Sequence, residues 1–139
     1  MSTIVVGVDN SPQALVAARR AAALAKAIGA ELRIVTAISK NETYEFGIGS
    51  DRSVINDRDL VESSLNAIAE EFGHTVVVST CVVKASPSEA LCAEAERVNA
   101  SVIVVGNKRV KGMGRVLGSI AGDVAKDAPC DVYVVHTYD

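Results

Sequence analysis

Aromatic residues are scarce in this sequence, at 4% of the chain, and there is no tryptophan. A core built around large rings is therefore excluded. The apolar fraction is nevertheless 49%, and much of it is alanine and valine. That mixture predicts alanine-rich helices packed tightly on valine-rich strands. At 139 residues the chain is long enough for one domain and too short for two full cores, so residues 1–139 are expected to form a single domain.

Cysteine is also sparse. Cys81, Cys92 and Cys130 are widely spaced and odd in number, and no CxxC pair exists. A disulfide framework and a paired-cysteine zinc site are excluded, leaving buried small hydrophobes in a reducing, cytoplasmic setting. Long hydrophobic runs are missing. The strongly apolar stretches, such as residues 101–106, are short beside the roughly 20 residues of a membrane span. The N-terminal segment has no basic n-region and no cleavage signature, so no secretory leader and no membrane partner are expected. A charge excess of one sign is absent too. The formal net charge of −3 favours solubility and gives no global pull toward nucleic acid.

What is present is alternation. Five strand-like runs, at residues 3–9, Glu31–Ile38, 75–83, 101–106 and Asp131–Thr137, are separated by four helical stretches. Several of the runs are almost continuously β-branched, which suits parallel strands covered on both faces. Ser11-Pro12 opens the first helix with a cap and a first-turn proline, and Gly29 stops it. Ala14, Ala18, Ala21, Ala25 and Ile28 share one side of that helix at helical spacing. Val61, Leu65, Ile68 and Phe72 define the second helix. Leu91, Ala95 and Val98 define the third, after Ser86-Pro87. Ile120, Val124, Ala125 and Ala128 define the fourth, after Gly118-Ser119. Residues 39–53 are polar and aperiodic and read as a surface loop. The pattern predicts right-handed crossovers and a parallel sheet with helices on both faces, a three-layer α/β sandwich.

In such sheets ligands bind beyond the carboxyl ends of the strands, where the strand order reverses. The segment after the fourth run is the most unusual of these ends. Residues 106–119 hold four glycines and four basic residues directly before a helix. Glycines permit close backbone approach, a helix N-terminus offers unpaired N–H groups to an anion, and Lys108, Arg109 and Arg115 supply positive charge. Ser119 adds a hydroxyl donor. The segment reads either as a phosphate cradle or as a solvated loop whose glycines only make turns. Asp9, ending the first run, reads either as a ribose, base or metal contact or as a turn residue accepting local N–H groups.

Three motifs together carry a family resemblance: Val-Gly-Val-Asp-Asn-Ser-Pro at the first strand end, Lys84-Ala85-Ser86-Pro87 at the third, and Val104-Val105-Gly106 followed by Leu117-Gly118-Ser119 and Ala128-Pro129-Cys130. In order and spacing the chain resembles the universal stress proteins over nearly its whole length. The resemblance implies a Rossmann-like fold of the adenine nucleotide alpha hydrolase kind, with strand order 3-2-1-4-5. In the nucleotide-binding branch of that family ATP or AMP, with Mg where needed, sits between the first and fourth strands, and Gly-x2-Gly-x9-Gly-Ser/Thr holds the phosphates. On that pattern Gly106, Gly118 and Ser119 would hold phosphate, Asp9 would lie near the adenosine, and Ala37 would give backbone contacts to adenine. Here Arg109 replaces the second glycine and eight residues, not nine, separate it from Gly118. The arginine would either crowd a triphosphate or pair with it, and Gly112 and Gly114 offer close approach in a shifted register. Part of the family binds no nucleotide, so a dimeric interaction protein of the stress response is the alternative. The family commonly forms homodimers through its last strand, which corresponds to Asp131–Thr137.

Other classes fit less well. A receiver domain needs a phosphorylatable aspartate after the third strand, where Lys84 stands, and a dehydrogenase needs a glycine fingerprint after the first. His74 and His136 have no nucleophile at meaningful spacing, and Cys92 reads as packing. No catalytic residue and no metal site are assigned, and at most very slow ATP hydrolysis is expected.

Overall fold

The computed structural model describes residues 2–9, 11–38, 57–108 and 117–137. The elements alternate as β1 (Thr3–Gly7), α1 (Pro12–Ile28), β2 (Glu31–Ile38), α2 (Asp57–Phe72), β3 (Val78–Lys84), α3 (Pro87–Arg97), β4 (Val102–Lys108), α4 (Ser119–Asp127) and β5 (Asp131–Thr137). The five strands form one sheet in the order β3-β2-β1-β4-β5, and every pairing is parallel. The expected sandwich and strand order are therefore present. The loop expected at residues 39–53 lies outside the described residues.

Strand alternation divides the apolar residues between two cores. Ile4, Val6, Leu32, Ile34 and Val104 face the α1 and α2 side. Val5, Val35, Ile103 and Val105 face the α3 and α4 side. The continuous β-branched runs are thus covered on both faces, as parallel strands require. On α1 six alanines are buried, Ala14, Ala17, Ala18, Ala21, Ala22 and Ala25. Side chains this small let the helix backbone lie close to the sheet. Ser11 caps α1 by accepting the Ala14 N–H at 3.3 Å, and Gly29 ends it in the left-handed conformation, φ 70°.

Some boundaries and facings differ from the sequence expectation. β1 stops at Gly7, because the chain turns at Asp9, whose carboxylate accepts the Ser11 N–H at 2.8 Å. β3 begins at Val78 rather than residue 75. The N–H groups of Thr75 and Val76 are held by the Phe72 carbonyl as α2 unwinds. β4 runs on to Lys108 because β5 pairs with it as far as Lys108 opposite Thr137. Ile28, expected on the buried side of α1, is 51% exposed at the helix end. On α4 the buried residues are Ala121 and Val124, while Ile120 and Ala125 are exposed. Nine residues give α4 room for only a narrow apolar stripe, so its first turn lies open.

One buried charge cluster ties α3 to the sheet. Glu94, 5% exposed, accepts from Arg33 Nε of β2 at 2.7 Å and from Arg97 one turn along α3. Arg33 also donates to Ser79 Oγ of β3 at 2.9 Å. The hydrogen bond from Arg97, with help from Arg33, holds the Glu94 carboxyl below the usual carboxylate range, against the opposing effect of burial. A depressed folded-state value contributes stability that is full above the unfolded-state value and is lost as pH falls through the folded one. Glu94→Gln is therefore expected to cost about 1–3 kcal/mol at neutral pH. The wild-type and variant stabilities should converge in acid, when Glu94 itself is protonated. Urea unfolding followed from neutral pH downward checks this, and parallel curves would contradict it.

A second expectation concerns Gly7. A β-carbon there would lie 2.9 and 3.0 Å from the two δ-methyls of Leu91 on α3. Gly7→Ala should destabilise by about 1–3 kcal/mol through overpacking, measured by the same unfolding assay.

Candidate functional site

The strand order reverses at β1 and β4, and a cavity of about 410 Å³ opens at their carboxyl ends. Its volume falls in the range of small-molecule sites. The walls come from every layer. Ala14 and Ala17 come from α1, Val35 and Ala37 from β2, Ala90 and Leu91 from α3, and Ser119, Ile120 and Ala121 from α4. The cavity exists because small residues stand where helices cross the strand ends. At Gly106 a β-carbon would meet Thr137 Cγ2 at 3.3 Å and Ala17 Cβ at 3.6 Å.

Of the residues expected at the site, Asp9, Ala37, Gly106, Gly118 and Ser119 all line this cavity. The chain has folded them together from four different loops and strands. Lys108 closes β4, but its side chain lies outside the described residues, as do Arg109, Gly112, Gly114 and Arg115. Asp9 Oδ1 accepts both the N–H and the hydroxyl of Ser11. The turn role is thus present, and the same carboxylate borders the cavity. The end of β1 is held in place by the Val8 N–H bonded to the Val35 carbonyl at 2.9 Å and by Thr36 Oγ1 donating to the Val8 carbonyl at 2.8 Å.

Two lining residues were given no site role from sequence, although Asn107 stands among the strand-end residues that the fold class marks for a ligand. Asn107 and Thr137, 4% and 1% exposed, are buried polar residues at the ends of β4 and β5. Asn107 Oδ1 accepts the Gly118 N–H at 2.6 Å. The legible signal was a carboxamide interrupting an apolar strand immediately after Gly106. Thr137 carried no comparable signal, because its place beside Gly106 depends on how β5 meets β4.

Among the described lining residues, Asp9 is the one carboxylate, and no histidine, cysteine or lysine is present. Backbone N–H groups at the start of α4, the Ser119 hydroxyl and the Asn107 carboxamide supply polar contacts. Among the described residues no group of three histidine, cysteine or acidic side chains could hold a metal ion. The cysteines are free, and burial pushes the thiols of Cys92 and Cys130 up, with Asp127 adding to the first and Asp131 to the second. A raised thiol is a poor nucleophile, in keeping with a packing role. Both histidines are exposed and lie outside the cavity lining. No described helix is long and apolar enough to cross a membrane.

Known proteins resemble this chain in sequence and fold. The universal stress protein family model matches residues 1–136. A universal stress protein of Mycobacterium tuberculosis is 30% identical, and the match covers 97% of this chain and 96% of that protein. A putative universal stress protein of Staphylococcus aureus is 29% identical, over 96% of this chain and 83% of its own length. Among solved structures, a universal stress protein in complex with cAMP is 31% identical with a TM-score of 0.73, covering 98% of this chain and 97% of that one. A universal stress protein from Archaeoglobus fulgidus in complex with dAMP has a TM-score of 0.71 at 22% identity, over 97% and 98% of the two chains, a likeness of fold. With its strand order, its cavity at the β1–β4 reversal and its match over residues 1–136, the chain belongs to the universal stress protein family.

Proposed function

We propose that this protein is a regulatory module that binds an adenine nucleotide, ATP or AMP, in the cavity at the ends of β1 and β4. The observation that carries the reading is the convergence of Asp9, Ala37, Gly106, Gly118 and Ser119 on one cavity. The complex of a 31% identical family member with cAMP supports the same ligand class. In this reading adenine lies toward Ala37 and Val35, the ribose toward Asp9, and phosphate toward Gly118 and Ser119. Lys108, Arg109 and Arg115 approach the phosphates, with Gly112 and Gly114 allowing the backbone close. Magnesium would come with a triphosphate, and among the described lining residues Asp9 is the carboxylate that could approach it. Among the described lining residues Asp9 is the one carboxylate and already accepts from Ser11, which supports binding rather than rapid turnover.

The second part of the proposal is a homodimer joined through β5. The strand is a sheet edge, so one row of its N–H and C=O groups offers a template for another strand. Tyr133 is 36% exposed on it, and no proline interrupts it. A two-fold axis would pair β5 antiparallel with its copy, placing Val and Tyr side chains across the join.

Titration calorimetry with ATP, AMP and adenosine tests the first part. Heat and a thermal shift are expected with both nucleotides, and their absence from both would reject the reading in favour of an interaction protein without nucleotide. Ser119→Ala should weaken the phosphorylated ligands by about 1.5–3 kcal/mol, the loss of a hydrogen bond to a charged group, and leave adenosine unchanged.

Sedimentation at micromolar concentration tests the second. Wild type should be a dimer. Val134→Pro should be monomeric, because proline removes a ladder donor. Tyr133→Glu, which leaves the ladder intact, should weaken the dimer as well. A monomeric wild type, or folded variants that still dimerise, would sink the interface.

A further inference from the structure

We infer that Asn107 is the residue that positions the phosphate-facing donors of α4. The inference rests on the nucleotide reading above and adds a role to a side chain outside the glycine pattern. Strand alternation sends adjacent residues of β4 to opposite faces. Gly106 faces α1, beneath Ala17, and Asn107 faces α4. Its backbone is fixed in the β4–β5 ladder opposite His136, so the side chain stands on a rigid base.

The contact with α4 is short and specific. Asn107 Oδ1 accepts the Gly118 N–H at 2.6 Å, across eleven residues of chain. Because the partner is a backbone donor, the facing atom of the carboxamide is its oxygen. A β-carbon at position 118 would lie 3.1 Å from that oxygen, tight for such a contact, so glycine eases the approach of the Asn107 carboxamide to the backbone there. Gly118 is the N-cap of α4, with φ −65° and ψ 169°, and has no side chain with which to cap the helix.

The buried residues of α4 are Ala121 and Val124, both beyond its first residue, while Ser119 and Ile120 are exposed. The Asn107 bond ties the residue just ahead of Ser119 and Ile120 to β4, and both residues line the cavity. The ligand part addressed is a phosphate ester of a nucleoside. A neutral acceptor suits that task, since a carboxylate at the same place would hold Gly118 equally well but repel the anion beside it.

The test uses full-length protein, with AMP and adenosine as probes and the Gly118 amide, followed by NMR hydrogen exchange, as a ligand-free readout. Asn107→Ala should speed Gly118 exchange, weaken AMP roughly tenfold, as for one lost hydrogen bond, and leave adenosine unchanged. Asn107→Asp should keep the Gly118 amide protected and adenosine bound, yet weaken AMP. If Asn107→Ala does not fold, Asn107→Asp carries the test alone. Equal losses for AMP and adenosine, or unchanged AMP affinity, would overturn the positioning role. A wild type that binds neither probe would overturn the nucleotide reading and this role with it, while Gly118 exchange would still show whether the bond forms. The two failures are thereby separable.

Discussion

β1 lies between β2 and β4 and is hydrogen-bonded in parallel to both, with Val6 opposite Ile34 on one side and Val104 on the other. That double pairing organises the molecule. From β1 the chain steps outward to β2 and β3, then crosses back to β4 and continues to β5. Right-handed crossovers in opposite directions place α1 and α2 on one face and α3 and α4 on the other. The connections leaving β1 and β4 must therefore diverge, and the gap between them is the cavity.

Small side chains set how near the layers come. The buried alanines of α1 bring its backbone down to the sheet, and Ala17 reaches the neighbourhood of Gly106 and Thr137. Gly7 and Leu91 meet in the same manner on the opposite face. A sequence poor in aromatics packs by close approach of backbones, and space is left where helices pass over strand ends carrying glycine. The same economy of side-chain volume that makes the core also shapes the site.

Polar groups are buried where they have a defined partner. Glu94 is clamped by Arg33 and Arg97, and Asn107 holds Gly118. Among the described residues no buried side-chain nitrogen or oxygen lacks a hydrogen bond. The Glu94 cluster joins α3 to β2 and β3 away from the cavity lining, whereas Asn107 lines the cavity.

The fold was legible in the sequence because its signals are local and repeated. β-branched runs, helical spacing and the Ser-Pro starts at Ser11 and Ser86 each report on a few neighbouring residues, and their alternation leaves few topologies. Asp9, Ala37, Gly106, Gly118 and Ser119 were legible through their motifs and strand-end positions. The sequence by itself determined the element order and which strand ends could face a ligand. Tertiary structure alone decided which side chains meet there. Pairing of β5 with β4 extended β4 to Lys108 and set Thr137 beside Gly106. Chain turns after Gly7 and Phe72 moved the strand boundaries. The Asn107–Gly118 and Arg33–Glu94 bonds join residues of different elements distant in sequence. No local pattern encodes such contacts, because they arise only when the packed helices fix the distance between strand ends.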